Sequence, residues 1–242
     1  MKKRLKKIIQ WVKNIAVFLF AFSLLLVILY KYVPVYYTPQ MLFRPHISHQ
    51  WRPLPEISQH LVQAVVASED NYFLIHNGFS FFQLEPDSTA FFRNVMLNDN
   101  RTLSQQTAET VFLLPGRSWI GKSLETYFTI LIEFVWGKKR IMEVYLNTKE
   151  MGNGIFGAEA IAQKNFHKTA AQLSVPEAAL ITTALSNPKA FNSGRPTNYM
   201  LKQQTKIIST MSKIIPVKMG DSTDSTSSLD NDSINLSNDE NE

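Results

Sequence analysis

Gln59-His60-Leu61-Val62-Gln63-Ala64-Val65-Val66-Ala67-Ser68 runs directly into Glu69-Asp70-Asn71-Tyr72-Phe73-Leu74-Ile75-His76-Asn77-Gly78-Phe79. In the first half Leu61, Val62, Val65 and Val66 fall on one stripe at the helical period, so the spacing predicts a helix with one buried face. Two adjacent carboxylates follow it. Acids at a helix C-terminus oppose the macrodipole, so their placement needs a reason. A carboxylate partly buried beside a like charge suits general acid or base work. The plain alternative is that Glu69 and Asp70 open a solvated loop.

The helical period recurs downstream. Ser123 to Trp136 places Leu124, Tyr127, Phe128, Leu131 and Val135 on a stripe, and Ile141 to Leu146, Phe156 to Phe166, Pro176 to Leu185 and Asn198 to Ile214 follow. Ser174-Val175-Pro176-Glu177 reads as an N-cap, a first-turn proline and a capping-box glutamate. These segments predict one mostly α domain over residues 34–216, with few alternating runs and no repeat. Ahead of it, every residue from Ile15 to Tyr30 is apolar or small, and a span over 11–33 fits if Lys13 and Lys31 snorkel to the headgroups. Six basic residues and no acid precede or open that span within 1–14, which predicts a cytoplasmic N-terminus and an exported domain. The absence of a small-x-small cleavage site favours an uncleaved anchor over a signal peptide. Residues 217–242 are rich in Ser, Thr, Asn and Asp with a few isolated aliphatics, which predicts a disordered acidic tail.

Composition narrows the chemistry. The 242 residues include no cysteine, which removes disulfides, thiolate metal sites and a cysteine nucleophile, and the five histidines show no helical zinc spacing. No metal site is expected from the residues alone. The formal net charge is +5, and it is unevenly spread: the basic N-terminus is offset by the acidic residues of the C-terminal tail, the domain between them is only mildly basic, and no nucleic-acid partner is expected.

Three further segments are candidates for chemistry. Thr102, Ser104, Gln105 and Gln106 lead into an apolar helix whose free N–H groups offer a phosphate seat, with an ordinary N-cap as the alternative. Lys122 and Glu125 sit three apart on one side of a helix, a spacing that an i, i+3 ion pair also explains. Lys138, Lys139, Arg140 and Glu143 read as a solvated face. Phe79, Phe81, Phe82, Leu84, Phe91, Phe92, Met96 and Leu97 form an apolar stretch of weak periodicity, either core or a lipid-facing flap.

Taken in order, these segments resemble the family 51 glycosyltransferases, the peptidoglycan polymerases found in class A penicillin-binding proteins and as monofunctional membrane-anchored enzymes. The resemblance rests on Glu69-Asp70-x-x-Phe73-x-x-His76-x-Gly78-Phe79, Ser104-Gln105-Gln106-Thr107-Ala108, Leu124 through Asn147, Gly152 through Glu159, and Pro176 through Leu180. It covers about residues 34–216, and the segment after the anchor resembles the monofunctional branch. The resemblance implies a lysozyme-like helical fold behind a single transmembrane helix in the bacterial inner membrane. It implies inverting transfer of glycan from undecaprenyl pyrophosphate to the 4-hydroxyl of the N-acetylglucosamine of lipid II. Glu69 is then the general base, Glu125 lies on the leaving-group side, Lys122 contacts phosphate, and Thr102 and Gln106 line the donor site. Asp70, Phe73 and His76 complete the substrate-binding set. Glu125 beside a pyrophosphate makes Mg2+ or Mn2+ the cofactor to expect, and the partners implied are lipid II, the lipid-linked glycan, the membrane and other cell-wall synthesis proteins.

The chain departs from the family where cations meet phosphate. Glu109 and Thr110 replace a Lys-Asn pair, Gly121 replaces the Arg before Lys122, Asp99-Asn100-Arg101 replaces Gly-Gly-Ser, and Ser80 replaces an Asp. Arg101 and Arg117 are the cations available to compensate, and the paired change Gly121→Arg with Glu109→Lys is expected to restore rate. A catalytically impaired lipid II-binding or polymerase-associated protein of the same fold is the alternative reading. A glycan hydrolase using Glu69 as its acid is the third.

Overall fold

A computed structural model describes residues 2–80, 101–116, 118–214 and 217. Among these the chain is mostly helical: α1 (Lys2–Tyr32), α2 (Gln59–Glu69), α3 (Leu103–Phe112), α4 (Trp119–Val135), α5 (Gly137–Thr148), α6 (Ala158–Phe166), α7 (Val175–Ala184) and α8 (Asn198–Met211). Three short strands, β1 (Ser48–His49), β2 (Glu150–Gly152) and β3 (Ile155–Phe156), form a sheet in the order β1-β3-β2. β1 runs parallel and β2 antiparallel to β3. Phe156, expected to begin a helix, is instead the last residue of β3. The helix starts later because Gly157, at φ +86°, turns the chain hard against α5, and a Cβ there would stand 2.6 Å from the Asn147 carbonyl oxygen.

Polar caps set most helix starts. Ser58 accepts from His60 N–H and donates to the Leu173 carbonyl, so one hydroxyl both starts α2 and ties it to the segment before α7. Thr102 and Gln105 form a capping box on α3, and Ser174 and Glu177 form the expected one on α7. α2 packs on α7 and α8, whereas α3 packs on α4 and α5. The end of α2 therefore meets the start of α3 where the two groups adjoin. Val217, expected to open the tail, is 2 % exposed: its N–H donates to Gln63 and its carbonyl accepts from Gln59, both on α2. Residues 218–242, expected as a disordered tail, and Phe81 to Leu97 of the expected flap lie outside the described residues.

α1 is long and apolar enough to cross a membrane over Lys6–Tyr32 and is exposed along most of its length. Its last turns are bound to the domain. Trp136 donates its indole N–H to the Val27 carbonyl at 2.7 Å, and the Arg140 guanidinium caps the C-terminus of α1 through the Tyr30 and Val33 carbonyls. Tyr30, Phe112, Phe128 and Trp136 interlock, with Phe112 and Phe128 stacked at 4.4 Å. The run expected as a solvated face is thus partly internal. Arg140 serves the anchor, Glu143 accepts from Leu54 N–H, and Lys138 pairs with Glu133 above the Phe73 ring.

α4 packs Phe128, Leu131 and Val135 against the core but carries polar residues on its most buried side. It begins at Trp119, before the expected Ser123, and its most buried residues are Glu125, Thr129 and Ile132. On the opposite face, at helical spacing from Tyr127, the apolar residues Ile120, Leu124 and Phe134 are exposed, Phe134 to 90 %. Tyr127 on that face meets α1, with its hydroxyl 2.8 Å from that of Ser23.

Ser174→Ala removes a capping oxygen and should cost about 1 kcal/mol, lowering Tm by roughly 2–4 °C for a domain of this size. Burial alone would raise the Glu177 carboxyl, but Lys168 and Ser174 hold it below its ordinary value. Its folded-state pKa is depressed, so its contribution is present above the ordinary glutamate pKa and lost as pH falls through the lowered one. Thermal melts of wild type and Glu177→Gln should therefore converge on acidification; a constant gap would contradict this assignment.

Candidate functional site

Asp70 caps the end of α2 with its carboxylate turned inward. Its Oδ2 accepts the backbone N–H of Leu103, the first residue of α3, at 2.9 Å, and both oxygens lie within 3.1 Å of His76 Nε2. Gly78 N–H donates to His76 Nδ1, which makes Nδ1 the acceptor and assigns the ring proton to Nε2. Thr102 then donates its hydroxyl to the Gly78 carbonyl at 2.6 Å. The chain from 70 to 78 is closed into a knot against the start of α3. Gly78 is needed there: its φ is +91°, and a Cβ would lie 3.0 Å from Thr129 and 3.1 Å from Glu133 on α4.

This explains an acid at the end of α2. It opposes the dipole of its own helix and complements that of α3, whose N-terminal N–H groups it shares with Thr102. The expected phosphate seat at that N-terminus is accordingly filled by the protein itself. Asp70, His76 and Thr102 are buried with their polar groups engaged within the chain, and Phe73 is wholly buried beneath them. These four, expected to bind substrate, are packed behind the end of α2, with the hydrogen bonds of Asp70, His76 and Thr102 made within the chain.

Glu69, one residue earlier, points the other way. It is half-buried, and Gln106 donates an amide N–H to its Oε2 at 3.1 Å. Among the described residues no partner takes Oε1. Glu69 borders a cleft of about 230 Å³ lined also by Thr182, Thr183, Ser186, Tyr199 and Lys206 from α7, α8 and the turn between them. That cleft opens toward α7 and α8. Between Glu69 and Glu125 lie Gln106 and Arg101, for the second Gln106 amide hydrogen is directed at the Arg101 carbonyl at 3.3 Å.

Beyond Arg101 the charges alternate. The Arg101 guanidinium pairs with Glu109 and lies 3.5 Å from Glu125, and Lys122 contacts both Glu125 oxygens at 2.9 and 3.1 Å. Burial pushes the Glu125 carboxyl, 3 % exposed, above its ordinary value, with Lys122 and Arg101 pulling it back. Burial works against the Arg101 charge, yet Glu109 and Glu125 raise its pKa overall. Of the two compensating cations named from the sequence, Arg101 reaches the site, and Arg117 lies outside the described residues. Glu109 is its partner, so Glu109→Lys would set a cation against Arg101 and not restore a cradle. Gly121 sits in the first turn of α4, donating its N–H to Ser118, so a side chain there would crowd the Ser118 hydroxyl at 3.1 Å.

A Mg2+ or Mn2+ that arrives with a pyrophosphate needs only one or two carboxylates from the protein, and the carboxylates here are paired with cations. Both Glu125 oxygens face Lys122, Glu109 faces Arg101, and among the described residues no three His, Asp or Glu side chains converge. Sequence reasoning missed Lys149 and Tyr145. Lys149 Nζ donates to Gln106 Oε1 at 2.6 Å and lies 5.6 Å from the Tyr145 ring centroid. Burial lowers the Lys149 pKa, with Glu69 opposing it. Burial and the nearby Glu69 push the Tyr145 phenol well above its ordinary value, and its hydroxyl has no partner among the described residues. A lysine at the end of a helix reads as a dipole partner, so Lys149 carried no separate signal.

A sequence profile of the family described as Transglycosylase matches residues 40–212. The chain is 46 % identical over 220 residues to a biosynthetic peptidoglycan transglycosylase of Bacteroides thetaiotaomicron, covering 87 % of this chain and 89 % of that one. It is 40 % identical over 226 residues to a protein of the same name from Bdellovibrio bacteriovorus, covering 89 % and 90 %. A third, from Rhodospirillum centenum, is 44 % identical over 203 residues, covering 81 % and 88 %.

Asp70→Ala removes the acceptor for Leu103 N–H and for His76 and leaves both donors buried, a loss of about 3 kcal/mol or more. Urea unfolding should show it as a lower midpoint at unchanged slope. A midpoint equal to wild type would contradict the buried hydrogen bonding assigned to Asp70.

Proposed function

The chain belongs to the transglycosylase family, and from that premise we propose that it is a peptidoglycan glycosyltransferase that polymerises lipid II. In the proposed reaction the 4-hydroxyl of the acceptor N-acetylglucosamine attacks the anomeric carbon of the glycan held on undecaprenyl pyrophosphate. The bond from that carbon to the diphosphate oxygen breaks with inversion, and the hydroxyl proton passes to Glu69. An inverting displacement needs one base on the attacking face and charge stabilisation on the other. The observation that carries the reading is Glu69 itself, a carboxylate beside an open cleft with one oxygen held by Gln106 and the other unclaimed among the described residues. Arg101 and Lys122 are the cations for the departing diphosphate. To reach it they must exchange contacts with Glu109 and Glu125 for phosphate oxygens, and Glu125 keeps both in place until then.

The membrane fixes the geometry of the substrates. In the proposed topology α1 crosses the bacterial plasma membrane with its basic end in the cytoplasm and the domain on the outer face. Clamping by Trp136 and Arg140 makes α1 a rigid post, so the exposed apolar face of α4 beside it lies against the outer leaflet. Lys122 and Glu125, on the other side of α4, are then held at the depth where a lipid-linked diphosphate resides. The neutralisation of Arg101 by Glu109 favours a second reading, a lipid II-binding protein without turnover.

Full-length protein in detergent, given labelled lipid II and, separately, uncross-linked glycan strands, tests these readings. Polymer should form, and Glu69→Gln should lower its rate by about 10²- to 10⁴-fold. Binding without polymer would support the second reading, and shortened strands would support a hydrolase. Glu109→Lys should lower the rate of polymerisation because it strands Arg101; a faster enzyme would contradict the account of the cations.

A further inference from the structure

We propose that Lys149 is a positioning residue for the base: its ammonium holds the Gln106 amide, and through that amide one oxygen of Glu69, so that the other oxygen faces the acceptor hydroxyl. The proposal rests on the polymerase reading for its consequence in catalysis. Its geometric part stands alone.

A glutamine side chain offers one acceptor end and one end with two donors, whereas an ammonium can only donate. Lys149 Nζ lies 2.6 Å from one end of Gln106, which must therefore be the carbonyl oxygen. The opposite end meets two acceptors, Glu69 Oε2 at 3.1 Å and the Arg101 carbonyl at 3.3 Å, and uses both amide hydrogens. Every polar atom of this buried amide is thus engaged. Without Lys149 the carbonyl would be buried without a donor, and the side chain would turn to find one, releasing Glu69.

The charges around Lys149 fit this part. It faces Glu69 from α2, Arg101 from the segment before α3, Glu109 from α3 and Glu150 beside it in the chain, with the Tyr145 ring alongside from α5. The resemblance places a lysine at 109, where this chain has an acid. Lys149 returns a positive charge to the same neighbourhood from the end of α5. Burial also lowers its pKa, so the ammonium is lost at a pH below that of an exposed lysine, and its hold on the amide weakens there.

A double-mutant cycle with Lys149→Met and Gln106→Ala, read on labelled lipid II, tests the catalytic part. Lys149→Met should lower kcat by about 10- to 100-fold with little change in KM. Adding it to Gln106→Ala should lower kcat by no more than about twofold further, and Lys149→Arg should restore part of the loss. Independent losses that multiply, or a rise in KM at unchanged kcat, would overturn the proposal. An activity-free readout follows the side-chain amide signals of Gln106 by NMR in the full-length protein in detergent. They should shift in both Lys149→Met and Glu69→Gln, and in wild type should titrate at alkaline pH below the exposed lysines. Signals indifferent to Lys149→Met would overturn the proposal whatever the turnover of the protein. Moved signals in a protein that makes no polymer would sustain the positioning geometry and count against the polymerase reading alone.

Discussion

Leu103 donates its backbone N–H to the carboxylate of Asp70, 33 positions earlier in the chain, and the same carboxylate is met by the His76 ring. A charge-assisted bond between the last turn of one helix and the first turn of another is short, directional and shielded from water. Once made, it fixes the relative position of α2 and α3. Glu69 follows because it adjoins Asp70, and Gln106 follows because it lies one turn into α3. The pair Glu69–Gln106 is a by-product of a capping interaction, and the acid that makes the cap is not the acid offered to substrate.

The cations of the site depend on a second constraint, that buried charges must be matched. Lys149, Arg101 and Lys122 alternate with Glu69, Glu109 and Glu125 from the end of α5 across to α4. A chain that exchanges the lysine at 109 for a glutamate keeps this balance by supplying Arg101 opposite it. The result is a site in which Arg101 and Lys122 have acid partners before substrate arrives. A diphosphate must then compete with carboxylates, whose release into a partly solvated cleft offsets some of the binding. This is the physical reason to expect a slower enzyme than one with unopposed cations.

Several features were legible from the sequence for reasons that remain local. The Ser174-Pro176-Glu177 box and the stripe of α2 depend on neighbours within a turn or two, and both appear in the fold. Adjacent acids after α2 marked the site, but their opposite directions could not be read, because the partners of Asp70 lie on another helix. α4 was legible in part. Of its expected stripe Phe128, Leu131 and Val135 pack against the core, whereas Tyr127 meets α1 and Leu124 is exposed, and the most buried side carries Glu125 and Thr129. Amphipathic patterning assumes that water is the outer solvent, and beside a membrane helix that assumption fails. Lys149 and Arg101 were hidden because their partners come from other elements, and Val217 because a single aliphatic ahead of a polar tail carries no periodicity.

The fold, the anchor and the alternating charges all bear on one atom, the Glu69 oxygen that Gln106 leaves unclaimed. The most direct measurement is a structure of the full-length protein with a non-reacting lipid II analogue. The account requires the acceptor 4-hydroxyl within about 2.6–3.2 Å of that oxygen, with diphosphate oxygens on Arg101 and Lys122. An acceptor hydroxyl lying against Glu125, or a Glu69 carboxylate wholly taken up by the protein in the complex, would contradict it.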